Sequence, residues 1–266
     1  MGLDRLMDPK DTRGRNTELA LMQKVEQENT NRVKWGYIWA LLAALMWGLG
    51  YVALTTIWSI TPFKEMTIFP EGVAGFFLAA LIMTSALSIV YAVVLTFYWG
   101  VGTGKIKEVK RNVTNVRISK WYLLAAAVGG PIAIFGGNLA LGYIGSTFAA
   151  SAALMTAVFG AIIARLWYGE NISRKGWIGI GLIIAGGLLI WNPINMYNEI
   201  MNPAASESVW IGYLGGLISG FGWGLEGAIA GRIQDLTDAD AGVNTRLIAE
   251  GLLWILIFWP VMMLIF

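Results

Sequence analysis

Five side chains in this sequence have the type and setting to hold or move a small solute: Trp47, Tyr51, Asn138, Trp223 and Glu226. Glu226 is the sharpest of them. It stands in an apolar, glycine-rich stretch, Gly212–Ile233, where an unpaired carboxylate is costly, so it suits a proton carrier or a partner for a cationic substrate. Counted from Trp210 it lies sixteen residues along a helix, about 24 Å, which brings it near one end, within reach of Arg246 or of water. Asn138 follows Gly136-Gly137 in another apolar stretch; its amide suits either a substrate beside an opened backbone or a hydrogen bond to a neighbouring helix. Trp47, Tyr51 and Trp223 offer rings that stack on an organic solute or enclose a cation, or that simply fill space between helices. Glu250 and Arg165, near helix ends, read as interfacial residues whose charged heads reach water.

The residue types that are missing narrow the chemistry. Without His or Cys the chain lacks the commonest general base, the usual metal ligands and the thiol nucleophile. No nucleophile–base pair or carboxylate cluster of suitable spacing takes their place, so the expectation is a protein that is not an enzyme and holds no metal and no cofactor. The run GVGTGK ending at Lys105 lacks both the spacing of a phosphate-binding loop and the Ser or Thr after its Lys. A retinal-type photoreceptor would need a Lys in its last span, and none follows Lys175.

A composition that is 56% hydrophobic and 14% charged, with mean hydropathy +0.61, leaves too much apolar surface for a water-soluble globule, so the elements that position these residues are membrane helices. The expected fold class is an all-α polytopic membrane protein. Each crossing needs roughly 20 mostly apolar residues, and seven such stretches stand out, at about 35–58, 72–99, 121–141, 147–167, 176–191, 210–230 and 248–266. Residues 1–34 read as a cytosolic tail with a short helix from Asn16 or Thr17 to Glu28, and they lack the features of a signal peptide. Gly129-Gly130-Pro131 predicts a kinked or opened backbone in the third span. The few residues between the third and fourth spans predict an antiparallel hairpin, and the small residues of the fourth permit close approach. Pro193 and Pro203 mark a polar linker over 193–207.

Gly36–Ile57 returns at Gly212–Ile233 with a constant offset of 176 and seven identities in 22 positions, which suggests duplication. With the N-terminus in the cytoplasm, eighteen of the nineteen Lys and Arg residues lie inside and only Lys64 outside, as the positive-inside rule asks. The two copies then run in opposite directions, the inverted-repeat plan of secondary transporters. On this topology the Asn112-Val-Thr114 and Asn171-Ile-Ser173 sequons face the cytoplasm and are not glycosylated.

Ala140–Trp191 resembles the EamA domain of the drug/metabolite transporter superfamily. The resemblance rests on Leu141 and Tyr143 ahead of a small-residue helix, Val158-Phe159 within it, Gly169-Glu170 at its end and Gly176 opening a glycine-rich helix, with Trp47-Gly48 and its echo Trp223-Gly224 in support. It implies two inverted five-helix units working by alternating access: here 35–192 as the first unit and 208–266 as the first two helices of the second. Ala157 stands where the family often has Pro before its Val-Phe pair, which leaves the kink of that helix open. Seven spans against ten leaves two readings, part of a longer carrier or a short form completed by another membrane subunit. The function implied is carriage of a small organic metabolite across a prokaryotic inner membrane; the alternative is a non-transporting accessory or scaffold subunit. The expected partners are the lipid bilayer, a small-molecule substrate and another membrane subunit or a homodimer partner, with no nucleic acid.

Overall fold

The computed structural model describes residues 12–66, 72–201 and 209–265, and every regular element among them is helical. The elements are α1 (Thr12–Ile57), the single turn α2 (Phe63–Met66), α3 (Gly72–Leu95), α4 (Ile106–Thr114), α5 (Val116–Ala127), α6 (Phe135–Tyr168), α7 (Arg174–Trp191), α8 (Pro193–Met201), α9 (Val209–Gln234), α10 (Ala239–Leu253) and α11 (Trp259–Ile265). Three wider π-helical segments, Thr96–Gly102, Val128–Ile134 and Trp254–Phe258, extend α3, join α5 to α6 and join α10 to α11. Among the described residues, five continuous helical stretches are long and apolar enough to cross a membrane: Lys34–Ile57, Ala74–Gly102, Val116–Tyr168, Arg174–Trp191 and Ala239–Ile265.

The chain divides into two compact units, Met1–Gly50 and Tyr51–Phe266. In the first, the helix expected to end near Glu28 instead runs without a break through Trp35 into the apolar stretch. Nothing between Glu28 and Trp35 is a Gly or Pro, so the sequence has no residue that would stop it. Residues 1–11 of the tail lie outside the described residues.

The second unit is built on α9. Its neighbour, Val116–Tyr168, counts 53 residues, about 80 Å of helix, more than twice the hydrocarbon thickness. Gly145 breaks it with φ 78° and ψ 172°, a conformation open to glycine and strained for other residues. A Cβ placed on Gly216 would lie 2.8 Å from Ala152 Cβ and 3.7 Å from Ala140 Cβ. Two residues on opposite sides of Gly145 therefore meet one point of α9, so the chain folds back as the expected hairpin. Beyond the break the second arm, through Val158-Phe159, has regular helical dihedrals, so no kink forms where Ala157 stands in place of Pro.

Each arm of the hairpin meets α9 through glycines. Gly136 and Gly215 face each other so closely that a Cβ on either would come within 2.6 or 2.7 Å of the other's carbonyl oxygen, and a Cβ on Gly220 would come 2.7 Å from the Ala152 carbonyl. Small residues of this kind let membrane helices approach backbone to backbone. The same glycines lower the hydropathy of α9, which explains why this 26-residue helix is not among the five apolar stretches. Between α7 and α9 the residues expected to be a polar loop begin as a helix, α8. Pro193 has the fixed φ suited to a first helical position, and Asn192, at φ 42°, ends α7 and accepts a hydrogen bond from the Asn195 N–H at 3.4 Å.

The glycine contacts predict opposite outcomes for two alanine substitutions on α9. Gly215→Ala, which meets backbone, costs about 1–3 kcal/mol; Gly227→Ala, with open space at the Cβ position, is neutral or stabilising by up to about 1 kcal/mol. Thermal unfolding in a mild detergent distinguishes them, and equal effects would contradict the packing.

Candidate functional site

Four segments converge on a buried ionic centre: α9 with Glu226, α10 with Arg246 and Glu250, α3 with Ser88, and the π-helical segment with Gly129 and Gly130. Glu226 and Arg246 are each 8% exposed and Glu250 is 1% exposed. Arg246 Nε lies 2.5 Å from Glu226 Oε1, and Arg246 Nη1 lies 2.5 Å from Glu250 Oε2. Ser88 Oγ donates to the other oxygen of Glu250. The guanidinium thus bridges two carboxylates, one on its own helix at i+4 and one across to α9.

The glycine pair makes the room. A Cβ on Gly129 would fall on the Glu226 carboxylate and on Arg246 Nη2, and a Cβ on Gly130 would fall on the Glu250 carboxylate. The opening expected from Gly129-Gly130-Pro131 is realised as the Val128–Ile134 π-helical segment, with Pro131 inside it. Its consequence is a notch in which charged side chains lie against bare backbone.

The charges do not balance. Two ionised carboxylates and one guanidinium leave one excess negative charge in a poorly solvated place, and burying uncompensated charge is expensive. Glu226 Oε2 and Arg246 Nη2 are also buried without a hydrogen-bond partner among the described residues. One further positive charge, a proton or a small cation, would bring the centre to neutrality.

The other expected site residues are dispersed. Asn138 is buried, and its Nδ2 donates to Thr84 Oγ1 at 2.8 Å, so its amide joins α6 to α3. Tyr51 packs with Leu54 and Trp58 against Ala140, Leu141 and Ala149. Trp47 lies in the first unit, 45% exposed. Trp223 lines a cleft of about 440 Å³ between α6 and α9, together with Tyr168, Gly160, Gly224, Glu170 and Arg232. Arg232 sits 5.4 Å from the centre of the Tyr168 ring. The lining positions 223, 224, 227, 228 and 231 form one side of α9, whereas Glu226 points to Arg246.

One charged residue is corrected here and another gains a role. Glu250 is not an interfacial side chain reaching water: Arg246 and Ser88 hold it inside the protein. The signal available in the sequence is its i,i+4 spacing from Arg246. Lys105, at the end of GVGTGK, has a structural use. Its Nζ is 2.9 Å from Asp238 Oδ2 and 2.6 Å from Asp240 Oδ2, which ties the loop after α3 to the start of α10. Asp238 Oδ1 also accepts from the Ala241 N–H at 3.0 Å as the N-cap of α10. That hydrogen bond, with Lys105 beside it, holds the Asp238 carboxyl below its ordinary pKa, while the hydrogen bonds that Lys105 donates to Asp240 and Asp238 raise its own.

The EamA-like transporter family matches residues 34–192. The chain belongs to that family. No curated protein matches it at a significant level. Membership makes the chain an integral membrane protein of transporter type and points away from catalysis; the match covers α9 and α10 in no part, so the ionic centre stands on its geometry.

Two measurements check the site. Removing the shared cation strands two buried carboxylates, so Arg246→Ala destabilises by about 3–5 kcal/mol; Glu226→Gln leaves a neutral Arg246–Glu250 pair and costs about 1 kcal/mol or less. The reverse order in thermal unfolding would refute the charge count. At Asp238 the folded-state pKa is lowered, so its contribution is complete above the ordinary carboxylate range, about pH 4, and is lost as pH falls through the lowered value. Asp238→Asn, which still caps, flattens this acid limb; Asp238→Ala flattens it and also costs about 1 kcal/mol.

Proposed function

We propose that this EamA-family protein is a secondary carrier for a small organic metabolite, working by alternating access between inverted repeats in the inner membrane of a prokaryote. On this reading the chain crosses the membrane seven times: the five apolar stretches supply six crossings because Gly145 divides the longest, and α9 supplies the seventh under cover of its neighbours. The N-terminus is cytoplasmic, as the distribution of Lys and Arg supports. Residues 35–192 form the first unit, 193–207 the external linker, and 208–266 the opening helices of the inverted second.

The observation that carries the proposal is the buried centre with two carboxylates to one guanidinium on α9 and α10. Within membrane spans such groups mark ion and substrate paths. Glu226 is the coupling residue, taking up a proton or meeting a cationic group of the substrate, and Trp223 is the aromatic wall of the cleft on a separate side of α9, whose volume of about 440 Å³ suits a metabolite-sized solute. Trp47 and Tyr51, at the matching end of the first repeat, are further solute contacts. Asn138 serves chiefly to hold α6 on α3.

Uptake or efflux by the purified protein in proteoliposomes, with and without a proton gradient, tests this. Glu226→Gln abolishes gradient-driven accumulation while leaving the protein folded. Unchanged accumulation in that variant sinks the coupling role. If no solute moves under any gradient and a membrane subunit stays bound throughout purification, the accessory-subunit reading replaces the carrier.

A further inference from the structure

The basic residues after α3 are unevenly used. Lys105 is committed to Asp238 and Asp240, and Arg111 pairs with Glu108 on its own helix. Lys107 and Lys110 on α4 and Arg117 at the start of α5 are exposed, and no ion pair is formed by them among the described residues. Lys120 lies 5.5 Å from the Trp121 ring centre and makes no ion pair either.

Their position in the chain fixes where this charge must be. α4 lies between the apolar stretches Ala74–Gly102 and Val116–Tyr168, with three residues before it and Asn115 alone after it. Its nine residues span about 14 Å, so a helix tethered this tightly at both ends cannot leave the membrane surface. Val109 and Asn112 face inward, and Asn112 Nδ2 donates to Thr245 Oγ1 of α10 at 3.4 Å, which fixes the rotation of α4 and turns Lys107 and Lys110 outward. On α5, Arg117, Lys120, Trp121 and Leu124 follow i, i+3, i+4, i+7 spacing and share one face. Trp121 and Leu124 are each 43% exposed. Cationic heads are thus followed, one turn on, by an apolar surface, the order in which a phospholipid presents its phosphate and its acyl chains.

We propose that the exposed basic face of α4 and the start of α5 form a docking site for the phosphate headgroup of an anionic phospholipid, with the acyl chain lying along Trp121 and Leu124. The site takes phosphatidylglycerol in preference to phosphatidylcholine, whose headgroup carries no net charge. It is separate from the ionic centre and does not depend on transport.

Native mass spectrometry of the full chain, transferred into nanodiscs of mixed phosphatidylglycerol and phosphatidylcholine, reads out the retained lipid. Each Lys or Arg near such a surface contributes about a fivefold preference, so Lys107→Gln/Lys110→Gln/Arg117→Gln loses about a hundredfold of the selectivity at low salt, and Lys110→Gln alone, for use if the triple variant unfolds, loses about fivefold. Arg174→Gln/Lys175→Gln, which removes exposed charge at the start of α7, leaves retention unchanged. Equal retention by the triple variant and the wild type, or an equal loss in the α7 variant, overturns the proposal. So does displacement of the lipid by inorganic phosphate at matched concentration, because the site would then recognise free phosphate alone.

Discussion

The structure of the second unit turns on the cost of burying charge. One guanidinium is shared between two carboxylates, and none of the three groups has water enough to stand alone. Every element around the centre is constrained by it. The π-helical segment must present Gly129 and Gly130, since any Cβ there would occupy the space of the carboxylates. α3 must bring Ser88 to Glu250, and α10 must keep Arg246 and Glu250 one turn apart on a single face. α9 must approach closely enough for Glu226 to reach across.

That close approach depends on glycine. Along α9 the sequence gives up apolar side chains at Gly215, Gly216, Gly220 and Gly224, and in exchange each meets backbone or Cβ atoms of the hairpin arms directly. In lipid the hydrophobic effect does not drive helices together, because acyl chains are as apolar as leucine, so close van der Waals contact has to do so. The consequence is a helix too poor in apolar bulk to face lipid comfortably, placed where the two arms of a hairpin cover it. Asn138 on Thr84 adds one more interhelical hydrogen bond, inside the same unit.

The fold was largely legible in the sequence because its main signals are local. Apolar length, the short turn between the third and fourth spans and the Gly129-Gly130-Pro131 opening each act over a few residues, as does Gly169 at the end of α6. The errors arose where local signals were weak or partners distant. Pro193 reads as a loop marker, yet it opens α8, because proline tolerates a first helical position as readily as a turn. Glu250 reads as a residue reaching water because its place near a helix start says nothing of Ser88, 162 positions away. Glu226 and Arg246 were within reach because a lone carboxylate in an apolar stretch asks for a cation and few lie near. The second carboxylate, and with it the imbalance of charge, needed the three-dimensional structure.

The arrangement also decides which of the two carboxylates can change its partner. Glu250 and Arg246 are four residues apart on one helix, so any rigid displacement of α10 carries both together and keeps them paired. Glu226 belongs to α9, and the same displacement would separate it from Arg246. The pair left on α10 would be neutral and still supported by α10's own geometry, whereas Glu226 would be an uncompensated carboxylate in an apolar place. Such a state is accessible only when Glu226 acquires a positive charge from elsewhere, a proton or a cation. In the proposed carrier, a motion of α10 against α9 would thereby be tied to occupancy of Glu226, because the shared guanidinium cannot serve both helices once they part.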